Sequence, residues 1–194
     1  MLRKIKSLSI AFTALLMVTA LPAQALTLGF NPSDQNVGLG DKVFVDVVAS
    51  NVGGLLTTYD FDVTYDASIL SFAGIYFAGA LDGINPFYPF GPQPSYKTSN
   101  FGTPGILSVF EFGLLPGFQP LSFPLFTLKF DAIDYGTSAL NISTASITQG
   151  AIVNGNSANI DIEPGSVKVP EPTSLLLLGM AAMFASRRKM TLQA

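Results

Sequence analysis

The chain contains no cysteine, no histidine and no tryptophan. Without these residues it has no thiolate nucleophile, no imidazole base for a Ser-His-Asp triad, and none of the Cys and His ligands of structural zinc. Charge is also scarce, 12% of 194 residues, and unevenly placed. Arg3, Lys4 and Lys6 lie at one end and Arg187, Arg188 and Lys189 at the other, leaving Lys42, Lys97, Lys129 and Lys168 to face twelve acids between residues 26 and 170. The central body therefore carries −8. A body of that sign repels phosphate backbones, so no nucleic-acid partner is expected. The five methionines, Met1, Met17, Met180, Met183 and Met190, also fall outside the body, as though the ends were composed for a different solvent.

The basic start precedes an uncharged apolar run over residues 8–21, then Pro22 and Ala23-Gln24-Ala25. A charged start, a short apolar stretch and small residues at Ala23 and Ala25 predict a secretory signal peptide over residues 1–25, cut after Ala25. The run is shorter than the ~18 apolar residues of a spanning helix, which argues against a retained anchor. At the other end Val169-Pro170-Glu171-Pro172 is followed by an uncharged stretch over residues 173–186 and then by Arg187-Arg188-Lys189. Proline stops what precedes it, and Leu175 to Leu178 with Met180, Met183 and Phe184 would make a helix apolar all round, suited to lipid. At under the roughly 20 residues of a permanent span, and with a positive cluster held on the cytoplasmic side, a transient insertion in the inner membrane is expected.

This order of features closely resembles the PEP-CTERM sorting signal of exported Gram-negative bacterial proteins, over residues 170–194 and the Val169 before them. The resemblance implies processing by an exosortase, a membrane cysteine transpeptidase acting near Pro170–Pro172, and delivery to the cell envelope, cell surface or extracellular matrix. The five residues after Lys189 depart from the family, which usually ends at or near its basic cluster.

Between the ends, apolar and polar residues alternate. Val43, Val45 and Val47 oppose Phe44, Asp46 and Val48, and Tyr59, Phe61, Val63 and Tyr65 oppose Asp60, Asp62 and Thr64. Period two predicts strands with one buried face. Further runs at 26–30, 69–72, 106–112, 126–132, 139–142 and 166–169, punctuated by Gly, Pro, Asn and Asp, predict an all-β fold, a single sandwich over residues 26–169. The segments GDKVFVDVVAS, LTTYDFDVTYDASILSF, PLFTLKFDAIDYGTSALNI and PGSVKV together resemble a cohesin-like domain, a jelly-roll-type sandwich related to carbohydrate-binding modules. That likeness implies a fold, and a protein-docking role is the alternative it suggests. Asp66 is expected to cap the turn at Ala67 and Ser68.

Asp60, Asp62 and Thr64 share one strand face and form the candidate docking face. Read as a glycosidase pair, the two carboxyls would need a cleft, which a solvated sheet face lacks, so no enzyme activity is expected. Asn154, Asn156, Asn159, Asp161 and Glu163 offer oxygen ligands for calcium, but turn formation explains the same residues, and no metal or cofactor is inferred. The segment 82–101 interleaves Phe87, Tyr88, Phe90, Tyr96 and Phe101 with prolines and reads as a long stiff loop. Phe87, Tyr88, Phe90 and Tyr96 are the candidate carbohydrate-binding residues, since aromatic faces stack on sugar rings. A second segment, with Phe118 and Phe123, is expected to pack against it. The expected function is a non-catalytic surface or matrix protein, polysaccharide-associated or adhesive.

Overall fold

A computed structural model describes residues 25–84, 92–113, 118–149, 156–157 and 160–172. The described residues form the expected all-β sandwich and no helix. Fourteen strands are found among them: β1 (Leu26–Asn31), β2 (Asp34–Asn36), β3 (Lys42–Ser50), β4 (Leu56–Thr64), β5 (Leu70–Phe77), β6 (Gly83–Ile84), β7 (Pro92–Gln93), β8 (Tyr96–Asn100), β9 (Ile106–Phe112), β10 (Phe123–Ala132), β11 (Gly136–Gln149), β12 (Asn156–Ser157), β13 (Ile160–Ile162) and β14 (Gly165–Val169). One sheet runs β13-β1-β3-β10-β5 and the other β2-β14-β11-β4-β9-β8, with β12 beside β11 and a small β6-β7 pair apart. Most neighbours are antiparallel; β13 on β1 and β2 on β14 are parallel.

The alternation decides which residues fill the space between the sheets. β3 buries Val43, Val45, Val47 and Ala49, and opposite it β4 buries Tyr59, Phe61 and Val63. Rings make the seam. Tyr59 stacks on Phe61 with centroids 4.9 Å apart, and Phe126 of β10 packs on both at 5.8 and 6.2 Å. Burying each such ring removes 150–250 Å² from water, which makes this seam the chief source of hydrophobic stabilisation. In β10 the strict period breaks: Leu125 and Phe126 are both buried, because the register slips between Pro124 and Phe126. The irregularity is also what admits a proline into an interior strand.

The segment 82–101 is not one long loop. Within it β6 pairs with β7, and residues 96–100 form β8, which closes the second sheet by pairing with β9. The inward positions of β8 are Lys97 and Ser99, so no apolar alternation announced the strand. Phe118 is 95% exposed and does not pack on the described part of that segment, whereas Phe123 is buried in the core. Asp66 behaves as its sequence suggests. Its Oδ1 accepts from Ser68 N (2.9 Å) and Ser68 Oγ (2.6 Å), and these bonds hold its carboxyl below the usual range.

Candidate docking face and sorting tail

Strand pairing converts the sequence alternation into two-dimensional rows. On the outer side of the second sheet Tyr96 lies opposite Phe112, which lies opposite Thr58; Thr98, Phe110 and Asp60 form the next row, and Asn100, Ser108 and Asp62 the row after. Asp60, Asp62 and Thr64 therefore do share a face, as their spacing required. Tyr96, expected on a loop, joins the same face from β8. It is 65% exposed and meets Phe110 edge-on at 6.2 Å. Phe110 and Phe112 complete an aromatic patch that sequence reading did not single out, although their i, i+2 spacing in β9 was visible.

The two carboxylates of this face differ. Asp62 is half-buried and accepts from Ser108 Oγ at 2.5 Å, while Ser143 Oγ donates to its backbone carbonyl at 3.2 Å. Asp60 is exposed, and no ion pair involves it among the described residues. None of the rows carries a lysine or arginine. Of the four body lysines, Lys42 pairs with Asp131 at 2.5 Å, Lys129 sits 5.7 Å from the Phe44 ring on the other sheet, Lys97 points inward, and Lys168 is exposed on the same outer side but two strands from β4, on β14 opposite Thr137. A flat face with apolar rings, hydroxyls and unneutralised negative charge is suited to contact. It is no cleft, which general acid and base chemistry by Asp60 and Asp62 would need.

Behind the face lies a charged cluster that no sequence pattern predicted. Glu111 alternates with Leu107 and Val109, so it enters the interior and is wholly buried. Tyr59 Oη donates to Glu111 Oε2 at 2.5 Å, Lys97 Nζ stands 3.5 Å from Oε1, and Ser95 Oγ bridges Glu111 and Asp82, 2.9 Å from the latter. Lys97 Nζ also reaches Asp82 Oδ1 at 2.7 Å. Burial, followed by the Glu111 charge and hydrogen bond, drives the Tyr59 phenol far above its ordinary value. Partial burial pushes Asp82 up, but the Lys97 and Ser95 hydrogen bonds and the Lys97 charge outweigh it and hold the carboxyl below its usual value. Satisfied in this way, the cluster fastens the start of β8 to the turn before β6.

The other expected site residues divide by position. Phe87, Tyr88 and Phe90 lie outside the described residues, as do Ala23, Arg187, Arg188, Lys189, Asn154, Asn159 and the apolar stretches at both ends. Ala25 immediately precedes β1. Asp161 lies in edge strand β13 opposite Thr27, and Glu163 donates its N–H to the Leu28 carbonyl at 2.8 Å. Among the described residues no helix is long and apolar enough to cross a membrane. The tail motif is placed clearly: Val169 is buried at the end of β14, and Pro170, Glu171 and Pro172 are exposed directly after it.

Residues 168–189 match the family model described as the PEP-CTERM protein-sorting motif. The tail is a PEP-CTERM sorting motif. No curated protein matches the chain in sequence. Among solved structures, the sixth cohesin of scaffoldin B from Acetivibrio cellulolyticus, in complex with a mutant Cel5 dockerin, is similar with a TM-score of 0.61 at 19% identity, covering 75% of this chain and 99% of that one. The CaCohA2 module from Clostridium acetobutylicum gives 0.59 at 21%, covering 76% and 92%. A non-cellulosomal cohesin from Archaeoglobus fulgidus gives 0.55 at 15%, covering 76% and 91%. The body that precedes the PEP-CTERM motif thus has the cohesin fold.

Proposed function

We propose that this chain is an exported, non-catalytic docking module. It carries a leader cut after Ala25 and a PEP-CTERM tail processed by an exosortase, which leaves the sandwich at the envelope or surface. Leader removal there is compatible with the fold, since Leu26 already begins β1. The docking surface is the outer face of β8, β9, β4 and β11, and its partner is a protein presenting a basic side chain beside small apolar ones. The observation that carries this reading is the face of β8, β9 and β4, which carries no lysine or arginine and sets exposed Asp60 opposite Phe110, with Phe112 and Tyr96 in the adjacent row, on a body of net charge −8. Charge complementarity of that kind raises association rates and selects partners. Cohesins of this fold, among them that of scaffoldin B, are seen in complexes with dockerins, which supports docking without naming the partner here.

The test is binding of the exported chain to a partner recovered from the host's secreted proteins by crosslinking and mass spectrometry. Binding should saturate, weaken with salt, and fall about tenfold or more in Asp60→Lys, since like charge at an interface costs over a kcal/mol. Asp131→Lys, on the other sheet, should bind normally. Equal binding by both variants sinks the docking reading.

A second reading is favoured by Tyr96, whose 65% exposure offers a ring face beside Phe110. It is association with extracellular polysaccharide, or adhesion through it, with Phe87, Tyr88 and Phe90 as further ring donors. Retention on the host's exopolysaccharide that is lost in Tyr96→Ala but kept in Asp60→Lys would select this reading over docking.

A further inference from the structure

The tail leaves the body without a spacer. Val169 is 1% exposed and pairs with Gly136, whereas residues 170–172 are exposed and the uncharged stretch begins at Thr173. Three extended residues reach only about 10 Å. Headgroup layers occupy roughly 5–8 Å on each side of a ~30 Å hydrocarbon core, so a tail entering lipid at residue 173 brings the end of β14 to the membrane surface.

The loops at that end are tied to one another. Val37 N donates to the Lys168 carbonyl, Gly40 N to Ala132, Ile133 N to Ile69, and Tyr65 N to Gly105, at 2.8–3.0 Å. From these loops and the adjoining strand ends project Leu39 (47% exposed), Phe101 (57%), Ile106 (40%) and Ile133 (50%). Beside Phe101, which meets Phe72 at 5.2 Å, lies a groove of about 300 Å³ also lined by Tyr65 and Pro104. Asp131 pairs with Lys42 and Glu171 is exposed in the motif itself, while three further acids here are turned into their own loops: Asp41 accepts from Gly38 N at 2.7 Å, Asp66 from Ser68 N at 2.9 Å and Asp134 from Tyr135 N at 2.8 Å. Charge that is not neutralised, on a body of −8, disfavours anionic lipid and leaves apolar contact with a zwitterionic surface.

We propose that, while the PEP-CTERM tail is inserted, this end of the sandwich rests on the bilayer surface through Leu39, Phe101, Ile106 and Ile133. The proposal depends on the reading of residues 173–186 as a membrane-entering stretch. The contact holds β14 and the processing motif at a set height over the membrane. Leu55, Phe118 and the start of β1 lie at the opposite end, a nine-residue strand or ~30 Å away.

Because the chain has no tryptophan, single-Trp variants report position without background. Phe101→Trp, Ile133→Trp, Leu39→Trp, Phe118→Trp and Phe184→Trp are made in the full chain, exported so that the leader is removed. Each is reconstituted at low protein-to-lipid ratio in phosphatidylcholine vesicles carrying shallow or deep brominated lipid. Phe184→Trp should be quenched by the deep lipid. Phe101→Trp and Ile133→Trp should be quenched by the shallow lipid about threefold more than Phe118→Trp, because interfacial side chains sit within ~5–10 Å of the headgroup boundary. Leu39→Trp provides a further reporter should either of those fail to fold. If Phe184→Trp is quenched while the end-loop variants match Phe118→Trp, the body hangs free and the proposal is overturned. If Phe184→Trp is not quenched, the tail does not enter lipid, and the insertion reading falls together with the proposal.

Discussion

Removing one buried oxygen tests the interior cluster. Tyr59→Phe keeps the ring seated between Phe61 and Phe126 and deletes only the hydroxyl that donates to Glu111. Both residues are 0% exposed, so water cannot replace the lost donor. A buried polar group left short of a partner costs about 1–3 kcal/mol, more when it is charged, and a loss of roughly 2–3 kcal/mol is expected. For a domain of this size that lowers the Tm by about 5–10 °C. Urea unfolding followed by circular dichroism measures it, with an unchanged slope expected, because the buried area hardly changes.

The same substitution has a signature in alkali that a packing defect would not share. The folded phenol is held far above its ordinary value, while the unfolded one titrates near 10. A group raised on folding contributes stability in full below the unfolded value. That stability is lost as pH rises through the interval toward the folded value, because only the unfolded chain releases the proton. The wild type should therefore lose about 1.4 kcal/mol of stability per pH unit above ~10.5 through this residue, and Tyr59→Phe should lack that slope. A stability change under 0.5 kcal/mol together with an unaltered alkaline slope would refute the buried Tyr59–Glu111 contact.

Asp82 is depressed in the folded chain, so its contribution is present above the ordinary aspartate value of 3.8 and disappears as pH falls through the lower folded value. Asp82→Asn should be less stable near pH 7 and should show a shallower loss of stability between pH 5 and 2, read from acid titration at fixed urea. Gly113 donates its N–H to the Thr57 carbonyl at 2.9 Å, and a methyl group there would run into the Leu81 carbonyl. Gly113→Ala should cost about 1–3 kcal/mol in thermal unfolding, since backbone must move to admit it. A neutral result would mean that the turn at Leu81 gives way freely.

Strands whose inner positions are apolar, such as β3 and β4, could be read from the chain directly, because burial leaves a period of two that survives any packing detail. The faces of β9 could not. In ILSVFEF the bulkier set is Ile106, Phe110 and Phe112, yet Leu107, Val109 and Glu111 face the core. A shift of one residue exchanges the two sets, and the choice rests on neighbours that only folding supplies: Tyr59 and Lys97 to satisfy the carboxylate. Strand β8 was hidden for the same reason, since its inward residues are polar and find partners far along the chain.

What the chain determined alone is therefore local and chemical. It set a sorting address at the C-terminal end, one strand-rich body, an acidic surface, and Asp60, Asp62 and Thr64 on a common face. Each follows from residue type and short-range period, which need no knowledge of distant contacts. The tertiary structure decided what pairing alone can decide. It brought Tyr96 within edge contact of Phe110, which lies opposite Asp60, drew Glu111 inside, and gathered Leu39, Phe101, Ile106 and Ile133 at the end where the tail departs. Long-range hydrogen bonds between strands fix those neighbourhoods, and no window of sequence contains both partners.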